Sequence, residues 1–341
     1  MNRKAVVVLN LLLAGMLLLC NAPPAIAGAG TGVDSLAACA KFAFSTEEDF
    51  VTQGPTPSDG NPIISDGDLL SRTGAVCLRN RELLAKWESK QDLGLDAADV
   101  IDVERNLVAF STELDDPGGR FKAGDLLATN GAVIPVAALL TQFQVGYDMG
   151  LDAIHFTGKP DAITEFLVFA GTKDRSDWLG STLLLDMLRE MGIDIWFSTE
   201  STERTASTAQ ILDGDLLSVR SGQHVFRQRD LFPNSIPAGI VDRGVDFGLD
   251  AAAASRSSKR ELIRFSTEIL YEGEGSFTDG DVLRALTAAV EFTNEDLVAP
   301  FEPKARFLGL DALYMDIGGI AELKIYLPII EVMRQLQGGQ P

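Results

Sequence analysis

Short apolar runs, broken by Asp-Gly pairs and Ser/Thr clusters, recur along this chain. Asn106-Leu-Val-Ala-Phe-Ser-Thr112 and Glu261-Leu-Ile-Arg-Phe-Ser-Thr267 are rich in β-favouring residues and predict short strands. Asp-Gly ahead of Asp-Leu-Leu predicts a tight turn into another strand. Asn80-Arg-Glu-Leu-Leu predicts an Asn-capped helical turn, with Glu82 near the positive helix end. One stretch breaks this pattern. Leu184, Met187, Leu188 and Met191 fall at helical spacing within Trp178–Met191, which predicts a helix capping one edge of the core.

The strand pattern is a repeat. Phe-Ser-Thr-Glu occurs at Phe44–Glu47, Phe110–Glu113, Phe197–Glu200 and Phe265–Glu268. A Gly-Asp-Leu/Val-Leu element follows each, at Gly67, Gly124, Gly214 and Gly280, and Gly-Leu-Asp-Ala closes each, at Gly94, Gly150, Gly248 and Gly309. A weaker match lies between, with Asn80–Trp87, Val136–Phe143 and Asn294–Phe301 in equivalent places. The interval from Phe110 to Phe197 is longer than the others. It holds Phe166–Thr172, which resembles a degraded first element, and Gly192–Ile195, which resembles a degraded third. The expected units are 41–105, 106–163, a truncated 164–195, 196–260 and 261–322, with a closing strand at 323–327 and a tail at 331–341. A unit this small cannot bury both faces of its sheet, so neighbours must pack on one another. Radial packing predicts a mainly β, propeller-like fold with four to five blades. A linear β-repeat array is the alternative.

Residues 1–27 have the form of an export signal: basic Arg3-Lys4, an apolar run from Ala5 to Leu19, and Ala25-Ile26-Ala27 before Gly28. An extracytoplasmic address, secreted or periplasmic, is the expectation, with 28–40 as a leader and no stable membrane insertion after cleavage. Cleavage leaves Cys39 and Cys77. An oxidising compartment permits a disulfide between them, and two buried thiols are the alternative.

Composition narrows the function. The chain is 46% hydrophobic and 23% charged, which fits a folded globular protein. Its 49 acids against 29 basic residues give a net charge of −20, which opposes nucleic-acid binding. Two histidines and no Gly-x-Ser-x-Gly elbow leave nucleophilic catalysis unsupported. A residue present in every copy reads first as structural, so the repeated Ser, Glu and Asp are assigned to strand ends and turns. The competing chemistry is calcium, which takes clustered oxygen ligands. Its candidate ligands are Asp66 and Asp68 in one acidic loop and Glu274, Asp279 and Asp281 in another, although neither loop has EF-hand spacing.

The ordered elements, over about residues 40–327, resemble tandem repeats of exported bacterial proteins of unassigned function. The resemblance implies an extracytoplasmic, mainly β protein and brings no catalytic residues. The expected function is a binding or surface scaffold for a protein or carbohydrate ligand. A calcium-assisted extracytoplasmic hydrolase on a propeller-like scaffold is the alternative.

Overall fold

The structure is a computed structural model that describes residues 35–203, 211–239, 244–257 and 262–317, all within the compact unit Val33–Pro341. The export signal at 1–27, the closing strand expected at 323–327 and the tail lie outside the described residues. Strands are short. First come β1 (Phe42–Phe44), the hairpin of β2 (Phe50–Val51) and β3 (Ile63–Ile64), β4 (Leu69–Leu70) and β5 (Val76–Leu78). Next are β6 (Ala98–Asp102), β7 (Leu107–Phe110), β8 (Leu126–Ala128) and β9 (Val133–Ile134). They are followed by β10 (Ile154–Thr157), β11 (Asp194–Phe197), β12 (Leu216–Ser218) and β13 (Gln223–Phe226). Then come β14 (Ala252–Ala253), β15 (Arg264–Phe265), β16 (Val282–Arg284), β17 (Val290–Phe292) and finally β18 (Leu313–Met315).

These strands form four antiparallel four-stranded sheets: β18-β1-β4-β5, β6-β7-β8-β9, β10-β11-β12-β13 and β14-β15-β16-β17. Each sheet begins with the strand that follows a Gly-Leu-Asp element. The Phe-Ser-Thr-Glu strand comes second and the Gly-Asp-Leu strand third. The first sheet takes its first strand from far along the chain, with Phe42 opposite Met315 and Phe44 opposite Leu313. Sheet and sequence repeat are therefore offset by one strand. The strand that closes the first sheet is Leu313–Met315, ahead of the position the repeat spacing suggests.

The first strands of the sheets neighbour one another in turn: β6 with β10, β10 with β14, β14 with β18, and β18 with β6. Packing between the sheets follows the same order. Each of four apolar clusters joins two successive sheets, and the fourth joins the last sheet to the first through Phe42, Phe44, Leu70, Val282 and Leu297. The repeated phenylalanines Phe44, Phe110, Phe197 and Phe265 are fully buried in these seams. Trp87 meets Phe110 edge-on at 6.1 Å, and Phe143 meets Phe197 in the same way at 6.2 Å. These aromatics end the weakly matching segments, so that match records a packing contact. Polar stitches cross the seams as well. Ser45 Oγ donates to the Leu95 carbonyl, Ser111 to Leu151 and Ser198 to Leu249, at 2.9–3.1 Å. The fourth serine, Ser266, has no partner for its hydroxyl.

The expected truncated unit at 164–195 is corrected. Its residues form helix Pro160–Ala170 and helix Leu183–Met191, inserted between β10 and β11, which pair with each other across the insertion. Pro160 suits a first helical turn, and Ile163, Phe166, Leu167 and Ala170 keep helical spacing on the buried face. That spacing was legible and outranks the resemblance of Phe166–Thr172 to a strand element. Ile195 belongs to the Phe-Ser-Thr-Glu strand itself. The capping helix predicted over Trp178–Met191 begins only at Leu183, while Trp178 is buried against Phe166 and Phe169. Among the described residues no helix is long and apolar enough to cross a membrane.

Cys39 and Cys77 form a disulfide that closes a 38-residue separation. Cross-linking a loop of that size removes unfolded-state entropy worth about 2–4 kcal/mol. Urea unfolding with and without reductant is expected to differ by that amount, with no change for a Cys39→Ala/Cys77→Ala variant on adding reductant.

Candidate functional site

The Gly-Leu-Asp elements share one local geometry. Gly94, Gly150, Gly248 and Gly309 have φ between 65° and 74°, in the left-handed region where a side chain is strained. A second constraint acts on them. The glutamate of the paired Phe-Ser-Thr-Glu strand lies directly over each glycine, and a Cβ there would fall 2.1–2.4 Å from the carboxyl carbon of Glu113, Glu200, Glu268 or Glu47. Only glycine lets the glutamate pass.

A buried amide holds three of these loops. Asn80 donates from Nδ2 to the Gly94 carbonyl at 3.0 Å and accepts from the Leu93 amide at 3.2 Å. Asn294 does the same with Gly309 and Leu308, and Gln228 with Gly248 and Phe247. Asn80 is thus not a helix cap. It is the first residue of helix Asn80–Leu83, and Arg79 precedes it as the cap residue. The Gly-Asp-Leu aspartates anchor the same segment. The Asn80 amide donates to Asp68, the Gln228 amide to Asp215 and the Asn294 amide to Asp281, at 2.8–3.0 Å. In the second unit the equivalent Asp125 is satisfied from the insertion, by the Arg175 guanidinium at 2.6 Å.

The acidic loops of the sequence reading therefore divide. Asp68 is buried and committed to Arg79 at 2.6 Å and to the Ser65 and Asn80 amides. Asp281 is committed to the Thr278 and Asn294 amides. Neither belongs to the group of acids whose oxygens lie within 4.8 Å of one another among the described residues, so the structure does not bring these expected calcium ligands together. Glu274 is exposed. Asp66 and Asp279 remain, and they border one acidic cluster from different sides: Asp66 acts on Glu113 and Asp311, while Asp279 acts on Glu47 and Asp250.

The acids that converge are others. Asp96, Asp152, Asp250 and Asp311, the aspartates of the four Gly-Leu-Asp elements, stand just ahead of the four mutually neighbouring strands. Each acts electrostatically on the next around a closed circuit. Asp152 and Asp250 are only 7% and 6% exposed, and in all four the Oδ2 atom has no hydrogen-bond partner. Glu47, Glu113, Glu200 and Glu268 stand beside them, more exposed. Burial, and then neighbouring carboxylates, raise Asp152 and Asp250 well above the ordinary range and push Asp311 up to about 9. Burial does the same to Asp96, whose carboxyl also hydrogen-bonds Glu200, and lifts Glu113 to about 7. Eight carboxyls meet here, and the strongest charges acting on the four aspartates are other carboxylates. Beside this group Asp49, Ser65, Asp68, Arg79, Asn80 and Asp92 line part of a polar cavity of ≈ 300 Å³.

A different set occupies the positions three residues further along the same strands. Asp99 on β6 receives both Nη atoms of Arg256 at 2.6 and 2.7 Å, and His155 on β10 lies 3.6 Å from the same carboxylate. Tyr314 on β18 stacks near the guanidinium at 5.9 Å. Burial lowers His155 to about 4, so the imidazole is neutral there. His224 lies 3.1 Å from Asp215. Both imidazoles thus flank aspartates with structural commitments.

Comparison of the chain with protein-family models, curated proteins and solved structures finds no match.

Proposed function

We propose that this chain is an extracytoplasmic repeat scaffold, built as a four-bladed propeller-like ring, that binds a protein or carbohydrate ligand through its carboxylate-lined end. The cyclic order of the first strands, the four apolar seams and the completion of the first sheet by β18 support the ring. The Cys39–Cys77 disulfide agrees with an oxidising compartment. One observation carries the binding reading: every unit sends one glutamate and one aspartate to the same place, where their mutual repulsion costs stability. Such a cost is characteristic of sites under functional demand.

The test is a glycan and basic-peptide array probed with purified protein and with a variant carrying Glu47→Gln, Glu113→Gln, Glu200→Gln and Glu268→Gln. Loss of the bound spots in the variant, with an unchanged circular dichroism spectrum, supports the reading. Identical patterns, or an array blank for both proteins, overturn it.

A further inference from the structure

The structure assigns a calcium site to Glu47, Asp250 and Asp311, and we propose that a bound calcium ion is the counter-charge of the carboxylate ring. This deepens the reading of the acidic end as the binding face, by naming one ligand of it, and it can be tested separately.

Three observations carry it. First, one carboxylate oxygen from each of Glu47, Asp250 and Asp311 lies within 4.8 Å of the other two. One ion can reach all three at the ~2.3–2.6 Å typical of calcium–oxygen bonds. Second, Asp250 is more than nine-tenths buried and its Oδ2 has no partner, which is costly for a carboxylate unless an ion or proton fills the gap. The Oδ2 of Asp311 is likewise unpartnered. Third, no basic side chain among the described residues forms an ion pair with any of the three. Glu47 is exposed, Asp311 half-buried and Asp250 buried, so the set also offers a graded path of entry from solvent.

Ligand chemistry selects the ion. All donors are carboxylate oxygens, which favours hard cations over zinc or copper. Magnesium demands near-ideal octahedral geometry and keeps several waters, whereas calcium accepts six to eight oxygens in irregular arrangements. Asp279, whose Oδ1 is also unpartnered and which acts on both Glu47 and Asp250, adds a nearby carboxylate to the set. The other junctions pair a glutamate with the same shared aspartates. Among the described residues Glu47, Asp250 and Asp311 are the one such set whose ligand atoms lie within 4.8 Å of one another, so one ion there is the expected occupancy.

The experiment uses the full chain, stripped with EDTA and exchanged into buffer without divalent cations. Calcium chloride is titrated by calorimetry and by thermal unfolding, with magnesium as comparison. Saturable heat and a rise in Tm are expected with calcium, and a weaker response with magnesium. Asp250→Asn and Glu47→Gln are each expected to weaken binding by about tenfold or more, because affinity follows ligand charge. Both relieve repulsion, so folding survives in each. Glu274→Gln, at an exposed position outside the three-residue set, keeps wild-type affinity. Absence of heat and of any Tm shift at millimolar calcium overturns the proposal. So does wild-type affinity in both Asp250→Asn and Glu47→Gln, which would put the ion elsewhere. Array binding in a protein that gives no calcium heat and no Tm shift sinks the calcium site while leaving the binding face intact. Calcium binding with a blank array does the reverse.

Discussion

Freed of divalent cations, the protein is expected to lose stability as the pH rises from about 5 to about 9. Asp96, Asp152, Asp250 and Asp311 hold their protons more tightly in the folded chain than in the unfolded one. Their contribution is therefore complete below the ordinary carboxylate range and is lost as the pH climbs through the folded values, which reach about 9 for Asp311. A carboxyl displaced that far corresponds to on the order of 7 kcal/mol once the solution reaches its folded value. His155 works in the opposite direction. Its folded value is about 4 against an ordinary 6.5, so its contribution is present above 6.5 and is lost as the pH falls towards 4. It represents about 3 kcal/mol at most, one group against four, so the carboxyls dominate across the neutral and alkaline range. Urea unfolding in EDTA at several pH values measures this. The slope is expected to flatten in an Asp250→Asn/Asp311→Asn variant and on adding calcium. Stability that rises with pH over this range would mean that the ring is already compensated.

Arg256→Ala is expected to cost about 3–5 kcal/mol, the scale for removing one partner of a buried ion pair. Asp99 is 1% exposed, and Arg256 supplies both of its short charged contacts while also donating to the Phe156 and Val100 carbonyls at 2.7 and 2.9 Å. Without the guanidinium, a buried charge keeps only the Phe156 amide and a neutral imidazole. Arg256 also lowers His155, so its removal lets the imidazole protonate more readily and pair with Asp99. The deficit is therefore expected to shrink as the pH is lowered towards 5. Arg256→Lys cannot reproduce the two-point contact and recovers only part of the loss. Replacing both partners, as Asp99→Leu/Arg256→Met, is expected to recover most of it. Chemical denaturation of the four proteins settles the order. A cost below about 1 kcal/mol for Arg256→Ala would show that water reaches Asp99 and that this end of the strands is open.

Much of the local structure is written in the repeat. The Phe-Ser-Thr-Glu and Gly-Asp-Leu segments announce their strands through apolar runs and turn residues, and the Gly-Asp-Leu aspartates bind local amides as their type predicts. The helix at Leu183–Met191 was announced by its spacing, whereas the likeness of Phe166–Thr172 to a strand element masked the helix at Pro160–Ala170. The carboxylate ring was not, and the reason is specific. A residue found in every unit looks structural when units are considered singly, because a site is normally needed once. Glu47, Glu113, Glu200 and Glu268 reverse that logic. Each stands beside the aspartate of a Gly-Leu-Asp element, and those aspartates act on one another, so copies of one residue type from four units gather together and the repetition itself builds the acidic cluster. The buried amides Asn80, Gln228 and Asn294 carried a weak signal, a polar residue ahead of an apolar turn, but their partners lie more than ten residues away, beyond local pattern.

The sequence by itself determined the repeated elements, their short strands and turns, because these depend on neighbours within a few residues, and it showed the two cysteines available for a bridge. Only the tertiary structure decided how the units group into sheets, since β1 finds its partner in Leu313–Met315 through register and packing across nearly the whole described chain. It alone decided that Asp68 and Asp281 are spent on backbone amides while Asp96, Asp152, Asp250 and Asp311 are left facing one another. Charge, unlike turn chemistry, acts between residues that are close in space whatever their separation along the chain.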